Sequence, residues 1–411
     1  MLTRTLRPLL IALSLGAVLS FSASPALAQK DSLRPAVGKP LQQAQKLIQD
    51  KKFKDALAPI DEAEKVGGLT AYESFVIAQM RGAASAGAGD AVGAAAAFEK
   101  VLAAKRLPPE EQLRITEAVA GTYLRAKQYP KAIQWIQTYK ANGGTKPDVL
   151  NFLPQAYYLS GDFKKAAQES AAAITAAEQA GRKPSEEQLK LLASSLVKTN
   201  DMVGYTQSLE KLVRHYPTPE YWADVIQRTA TKPGFSRNLD LDMYRLLRAT
   251  GNLKQAKDYM EAVQLSVQAG LPGEAKAILD EGFEKKLLGV GSASDTERQN
   301  RLKTLVDKRY ADDKKIIAST DADAAKAASG DPLVKTGLAY VTYGDAQKGL
   351  PMMEAGIKKG TLKFPEQSKL HLGYGYWYAG DKARAQTALK QVKGTDGSAD
   401  FARLWNILAA K

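Results

Sequence analysis

The chain contains no cysteine and only two histidines, His215 and His371, among its 411 residues. The lack of cysteine excludes disulfide scaffolds, thiolate zinc clusters, thiol catalysis and the lipidated cysteine of a bacterial lipoprotein. Two histidines are too few for a multi-histidine metal centre. The sequence patterns of zinc proteases, serine hydrolases, P-loops and EF-hands are also absent. We therefore expect no metal, no cofactor and no enzymatic activity.

Long apolar runs are missing as well, with one exception near the start, Leu9–Phe21. Two arginines precede this run, and a segment rich in small residues follows it and ends in the A-x-A tripeptide Ala26-Leu27-Ala28. This order is typical of a secretory signal peptide, and the run is shorter than the roughly 20 residues that span a bilayer. We predict that residues 1–28 are removed and that the mature chain begins at Gln29, in a bacterial periplasm or outside the cell.

Basic residues outnumber acidic ones, 58 to 44, which gives a formal net charge of +14. Arg4 and Arg7 of the predicted leader supply two of these charges. An exported basic protein meets anionic cell-wall polymer, lipid headgroups and acidic proteins, and it does not ordinarily meet nucleic acid. The lysines occur as scattered pairs, so solvated helix faces account for most of this charge.

A short turn followed by a small residue recurs along the chain, as in Gly161-Asp162-Phe163 with Ala166. Glycine after a helix supplies a left-handed cap at little steric cost, and aspartate caps the next helix. The intervals are 34–39 residues or twice that length, which indicates a repeat array of antiparallel helix pairs. The turns begin at Lys51, Gly89, Lys127, Gly161, Asn200, Gly270, Gly344 and Gly380.

The repeated unit resembles the tetratricopeptide repeat, which pairs Leu-Gly-x-x-Tyr in a first helix with Ala-x-x-x-Phe in a second. Its best copy is Leu372-Gly373-x-x-Tyr376 followed by Ala385-x-x-x-Leu389. The resemblance implies an all-α fold, a TPR-like α-solenoid whose first helices line a concave face. We expect about ten helix pairs and a C-terminal capping helix over residues 398–410, with Leu372 and Tyr376 in the core.

Two stretches depart from this pattern. The first, residues 219–251, predicts two helices joined by a loop around residues 232–234. The second follows a glycine-rich break at residues 289–294. There a helix capped by Asp295 is expected to carry Leu302, Leu305 and Tyr310 on one face, before a short alanine-rich helix near residues 321–328. We predict an N-terminal array over residues 29–288 and C-terminal repeats over residues 289–411.

The first helices supply the candidate partner-binding residues. The carboxylate clamp of the repeat family is not matched, because Ser194 stands where its asparagine belongs after Lys190. Large rings off the core stripe are common interface anchors. The alternative for the C-terminal rings is packing on the terminal helix through Phe401, Leu404 and Trp405. The candidates are Tyr374, Trp377, Tyr378, Tyr158, Gln155 and Lys190.

The sequence therefore favours a non-enzymatic exported scaffold that binds another protein or peptide of the cell envelope. Two alternatives stay open. One is a protein that binds anionic cell-wall polymer or a membrane surface through its basic residues. The other is an envelope enzyme with an unrecognised site.

Overall fold

The computed structural model describes residues 31–411, and the predicted leader lies outside this range. All regular structure in the described residues is helical, which confirms the predicted all-α fold of ten helix pairs and a terminal helix. The helices are α1 Pro35–Gln49, α2 Leu57–Glu64, α3 Ala71–Gly87, α4 Ala91–Ala103, α5 Pro109–Arg125, α6 Tyr129–Ala141, α7 Pro147–Leu150, α8 Phe152–Leu159, α9 Phe163–Gln179, α10 Glu186–Lys198 and α11 Met202–His215. They continue as α12 Pro219–Ala230, α13 Asp240–Ala249, α14 Ala256–Gln268, α15 Pro272–Glu284, α16 Ala293–Ile316, α17 Thr320–Lys326, α18 Asp331–Thr342, α19 Ala346–Lys359, α20 Pro365–Tyr378, α21 Lys382–Leu389 and α22 Ser398–Ala409.

The chain divides into two compact units. Unit 1 extends to Arg182 and includes Ser194–Asn200, and unit 2 comprises Lys183–Ala193 and Asp201–Lys411. The glycine-rich break at residues 289–294, where the sequence predicted a boundary, lies inside unit 2. Leu288 is buried in the same apolar cluster as residues of α14, α15 and α16, so the core continues across this break.

The turns follow the predicted repeat register. All eight predicted turn starts have a positive φ, between 56° at Asn200 and 91° at Gly344. At five of these turns the following aspartate accepts a hydrogen bond from a backbone N–H in the first turn of the next helix. These aspartates are Asp90, Asp162, Asp201, Asp345 and Asp381.

Small residues allow the two helices of a pair to approach closely, as the repeat pattern predicts. A Cβ added to Gly373 would lie 2.5 Å from the Leu389 side chain. In α18 and α19 the two backbones themselves are in contact, because a Cβ on Gly337 would lie 2.5 Å from the carbonyl oxygen of Gly349. Only glycine permits this backbone contact.

Three details of the predicted core are wrong. Ser292, not Asp295, caps α16, because the Ser292 side chain accepts from the Asp295 N–H. Leu305 is 44% exposed, because α16 turns Leu302 and Val306 inward instead. Leu372 is only half-buried, since Leu370 takes the fully buried position on α20.

A cation covers a buried tyrosine in four of the helix pairs, an arrangement we call the tyrosine clamp. The tyrosine lies four residues before a turn start, and the lysine or arginine lies four residues after it. The distances from cation to ring centroid are 4.7 Å for Lys131 over Tyr123, 5.4 Å for Lys165 over Tyr157, 4.1 Å for Lys348 over Tyr340 and 4.8 Å for Arg384 over Tyr376.

Each clamp tyrosine also bonds to the second helix of the preceding pair. The Tyr340 hydroxyl donates to Asp321 Oδ1 at 3.0 Å, and the Tyr376 hydroxyl donates to Glu354. Burial, together with the Glu354 carboxylate, raises the pKa of Tyr376 to about 12, so this phenol remains a donor. Each tyrosine therefore joins three helices from two successive pairs. The other two partners are Glu99 of Tyr123 and Gln137 of Tyr157.

We predict that Gly161→Ala lowers the free energy of unfolding by about 1–2 kcal/mol, because φ is +88° there and a Cβ disfavours this conformation. No atom lies within 4 Å of the added Cβ, so the cost is conformational only. Lys127→Gly should raise the free energy of unfolding, because glycine adopts the φ of +58° at this position with less strain than lysine. Gly67→Ala, also free of contacts but without a positive φ, is the control. Urea unfolding measures all three, and equal effects of the two alanines would contradict this account.

We predict that Tyr340→Phe lowers stability by about 1–2 kcal/mol, because it removes the hydroxyl that bonds to Asp321 and Lys348. Lys348→Met should also destabilise, since it removes the cation over the ring. Lys348→Arg keeps that cation and is the control. Thermal melting of the three variants measures the effects, and an arginine variant that melts as early as the methionine variant would refute the clamp.

Candidate partner-binding site

Two of the three C-terminal candidate rings, Tyr374 and Trp377, contact the terminal helix. Tyr374 is 3% exposed, and its ring centroid lies 5.2 Å from that of Trp405 on α22. Trp377 lies still closer to Trp405, at 4.6 Å, and is half-buried. Tyr378 is also half-buried and lies 5.8 Å from Tyr374. Of the two alternatives that the sequence leaves open, these contacts favour packing for Tyr374, whose ring has almost no exposed surface.

Tyr374 belongs to a buried ionic cluster that the sequence reasoning missed. At its centre Arg245 on α13 binds Glu274 on α15 with two parallel hydrogen bonds of 2.8 and 2.6 Å. Arg245 Nη1 also donates to Asp242 Oδ1 at 2.8 Å, and the Tyr374 hydroxyl donates to Glu274 Oε1 at 2.9 Å. His371 Nε2 lies 3.1 Å from Asp242 Oδ2. The cluster joins α13, α15 and α20.

The charges of this cluster are fixed by its neighbours. Burial alone would raise the pKa of Asp242, but His371 and Arg245 lower it to about 2, so this buried carboxylate is ionised. Burial and the Glu274 carboxylate hold the pKa of Tyr374 far above its usual range, so its hydroxyl stays a donor. The cluster can therefore hold the last helices of unit 2 against α13 and α15.

Two signals in the sequence point to the cluster in retrospect. Glu274 lies four residues after the turn start Gly270, where the tyrosine clamps carry a lysine or arginine. Asp242 and Arg245 lie three residues apart on one side of α13, beside the buried Leu241 and Leu246. The contact with α20 has no local signal, since Tyr374 lies 100 residues from Glu274.

Gln155 and Tyr158 lie on α8 in unit 1, and both are half-buried. The Tyr158 hydroxyl and Ser194 Oγ are 2.7 Å apart, which links α8 to α10, the first helix of the next pair. The Tyr158 ring also meets Phe163 edge-on at 5.2 Å. We call this connected surface the first-helix ledge, formed by Gln155, Tyr158 and Ser194.

Lys190 is exposed on α10 and belongs to unit 2. Its ammonium lies 2.7 Å from Glu186 Oε1, and the Tyr221 hydroxyl donates to the same carboxylate. The hydrogen bond to Glu186 raises the pKa of Lys190. The structure thus groups Tyr374, Trp377 and Tyr378 in one cluster and Gln155 with Tyr158 in another, while Lys190 belongs to neither.

Two further findings concern the described range alone. In residues 31–411 no three or more histidine, cysteine or acidic side chains are arranged to hold a metal ion. No helix in that range is both long enough and apolar enough to cross a membrane.

No protein-family model matches the sequence, and no curated protein matches it significantly. Solved structures that it resembles include yeast Tom70, at 11% identity and a TM-score of 0.24, with 91% of this chain and 95% of that chain covered. The structure of Naa15/Naa10 bound to HypK-THB gives 14% identity and a TM-score of 0.30, with 87% of this chain and 58% of that chain covered. The pentatricopeptide repeat protein PPR10 from maize gives 15% identity and a TM-score of 0.28, with 88% of this chain and 60% of that chain covered. At these TM-scores the fold assignment rests on the helices of this chain alone.

We predict that Arg245→Ala lowers the free energy of unfolding by about 3–5 kcal/mol, because it leaves the buried Asp242 and Glu274 carboxylates without their shared cation. Arg301→Ala is the control, because its ion pair with Glu297 on α16 is exposed on both sides and should contribute little. Urea unfolding compares the two variants. Equal losses would show that the buried cluster does not stabilise unit 2.

Proposed function

We propose that the protein is an exported, non-enzymatic scaffold that binds another cell-envelope protein or peptide through the first helices of its repeats. The observation that carries this proposal is the first-helix ledge. The hydrogen bond between Tyr158 and Ser194 joins first helices from consecutive pairs, 36 residues apart. Repeat proteins present such joined surfaces to their partners.

The side chains of the ledge suit a peptide ligand. Gln155 carries both an amide donor and a carbonyl acceptor, which match the N–H and C=O groups of a peptide backbone. Tyr158 offers a large ring with a polar tip, the kind of side chain that is enriched at interfaces. Both are only half-buried, so each retains surface for a partner.

We predict that Tyr158→Ala reduces crosslinking to an envelope partner about 30-fold, because an interface anchor contributes about 2 kcal/mol or more. Photocrosslinking of the tagged chain in native envelopes, with quantitative mass spectrometry, measures the change. Tyr129→Ala, at a half-buried tyrosine on the second helix α6, is the matched control. Trp377→Ala should instead lower the melting temperature, since this ring packs on Trp405. A partner set unchanged by Tyr158→Ala would refute the ledge as the binding site.

Export is supported by the apolar run Leu9–Phe21 and the tripeptide Ala26–Ala28. We predict a mature N-terminus at Gln29, found in the periplasmic or extracellular fraction. N-terminal sequencing of fractionated cells measures this. Full-length protein confined to the cytoplasm would refute export and with it the choice of envelope partners.

A second candidate function is binding to anionic cell-wall polymer or an anionic membrane surface. Four of the six non-glycine residues with positive φ in the described range are lysines: Lys51, Lys105, Lys127 and Lys286. Lysine has no conformational advantage in this region, and glycine would relieve the strain. In the double variant Lys51→Gly with Lys127→Gly, binding to anionic vesicles should fall while stability rises. Binding that withstands high salt would contradict this candidate.

A further inference from the structure

The terminal helix α22 contacts both ends of unit 2. It packs on α20 and α21, which precede it in the chain, and on α11, α12 and α13, which lie about 160–200 residues earlier. We call α11, α12 and α13, with the loop over residues 231–239 that joins α12 to α13, the cradle. Apolar side chains on several sides of α22 are buried, Phe401 and Trp405 among them. The helix therefore occupies a position between two surfaces.

The two surfaces hold α22 by different means. On the α20 side the contact is aromatic, with Trp405 against Tyr374 and Trp377. On the cradle side two ion pairs add to the contact, because Arg403 binds Glu210 on α11 and Asp400 binds Lys232 in the loop after α12.

The cradle contact continues at both ends of α22. Lys411 donates to the Val213 carbonyl at 2.9 Å, and the Ser236 N–H donates to the Asp396 carbonyl at 2.8 Å. Phe401 meets Phe235 edge-on, with the ring centroids 5.2 Å apart. The side chains of the two ion pairs on the cradle side are 14–50% exposed, so salt screens the pairs in part.

The packing of α22 leaves several of its buried polar atoms without hydrogen bonds. Three of the five buried side-chain polar atoms without a hydrogen-bond partner in the described residues belong to this helix: Ser398 Oγ, Trp405 Nε1 and Asn406 Oδ1. Each such atom costs about 1–3 kcal/mol. The apolar burial of α22 is therefore partly offset, which lowers the free energy needed to release it.

We propose that the cradle is a binding site for an amphipathic helix and that α22 is its resident, displaceable occupant. This inference rests on the proposed scaffold function, because an external partner takes the place of α22. The partner is a helix with an acid, an aromatic residue and a base in the spacing of Asp400, Phe401 and Arg403. The acid faces Lys232, the base faces Glu210, and the ring enters beside Phe235.

Release of α22 involves the segment that precedes it. Residues 390–397 connect α21 to α22 and contain Gly394 and Gly397. Gly397 has a φ of 107°, and a Cβ there would lie 2.5 Å from the Phe235 ring. The backbone of this connection therefore packs directly on the Phe235 ring, and α22 leaves the cradle only when this contact opens.

The test uses the full chain and a fluorescent peptide with the sequence of residues 397–411. In the chain, Asp400→Asn with Arg403→Ala weakens the resident helix and leaves the cradle intact. We expect the wild-type peptide to bind this variant about tenfold more tightly than the wild-type chain, because two ion pairs of the resident helix are lost. A peptide with Phe401→Ala and Arg403→Glu should bind neither chain. Arg301→Ala in the chain is the matched control and should leave peptide affinity unchanged.

Hydrogen exchange of the full chain provides the second measurement. We expect α22 amides to exchange faster than those of α20 and α21, and high salt to accelerate α22 alone. The proposal is overturned if α22 exchanges in step with α20 and α21, if the doubly substituted chain unfolds, or if no chain binds the peptide. None of these outcomes bears on the crosslinking of Tyr158 variants in unit 1, so the scaffold function can fail or stand separately.

Discussion

In four helix pairs a buried tyrosine beneath a cation joins the pair to the one before it, and the stacking of these repeats depends on this contact. The ring fills space within its own pair, the cation of the second helix covers it, and the hydroxyl reaches the second helix of the pair before. Because a helix pair buries only part of its apolar surface alone, the contact to its neighbour sets its stability. Four pairs in the chain share this arrangement, and the remaining turns lack both the tyrosine and the cation.

At one turn of unit 2, the repeat position that carries a cation in the tyrosine clamps carries an acid, Glu274, instead. Ser266 and Glu274 replace the tyrosine and the cation around Gly270, and Glu274 binds Arg245 from an earlier helix and Tyr374 from a later one. Glu274 therefore contacts Tyr374, which lies 100 residues later in the chain, instead of a tyrosine of its own helix pair. The same exchange explains why Tyr374 is buried in this fold, although its spacing places it off the core stripe of α20.

Local chemistry made the repeat register predictable, because turn glycines and capping aspartates act within four residues of one another. The ten pairs, the loop around residues 232–234 and the terminal helix all follow from such signals. The burial of Tyr374 and the Asp242–His371 contact do not, since they join residues 100 and 129 positions apart. The buried face of α16 does not follow from its large apolar residues alone. Its polar sequence leaves Leu302, Leu305 and Tyr310 as the visible stripe, whereas Gln299 and Val306 take two of its buried positions.

The closure of unit 2 by α22 has a consequence for the order of folding. Contacts that build unit 1 join residues mostly 20–39 positions apart, as in Gln137–Tyr157 and Arg34–Glu73. The ion pairs and hydrogen bonds that join α22 and Lys411 to the cradle span 168–198 residues, from Lys232–Asp400 to Val213–Lys411. Contacts of such separation form slowly, because the intervening chain must lose its freedom first. During synthesis, unit 1 can therefore assemble while later residues are still being added, whereas the cradle stays exposed until α22 has been synthesised.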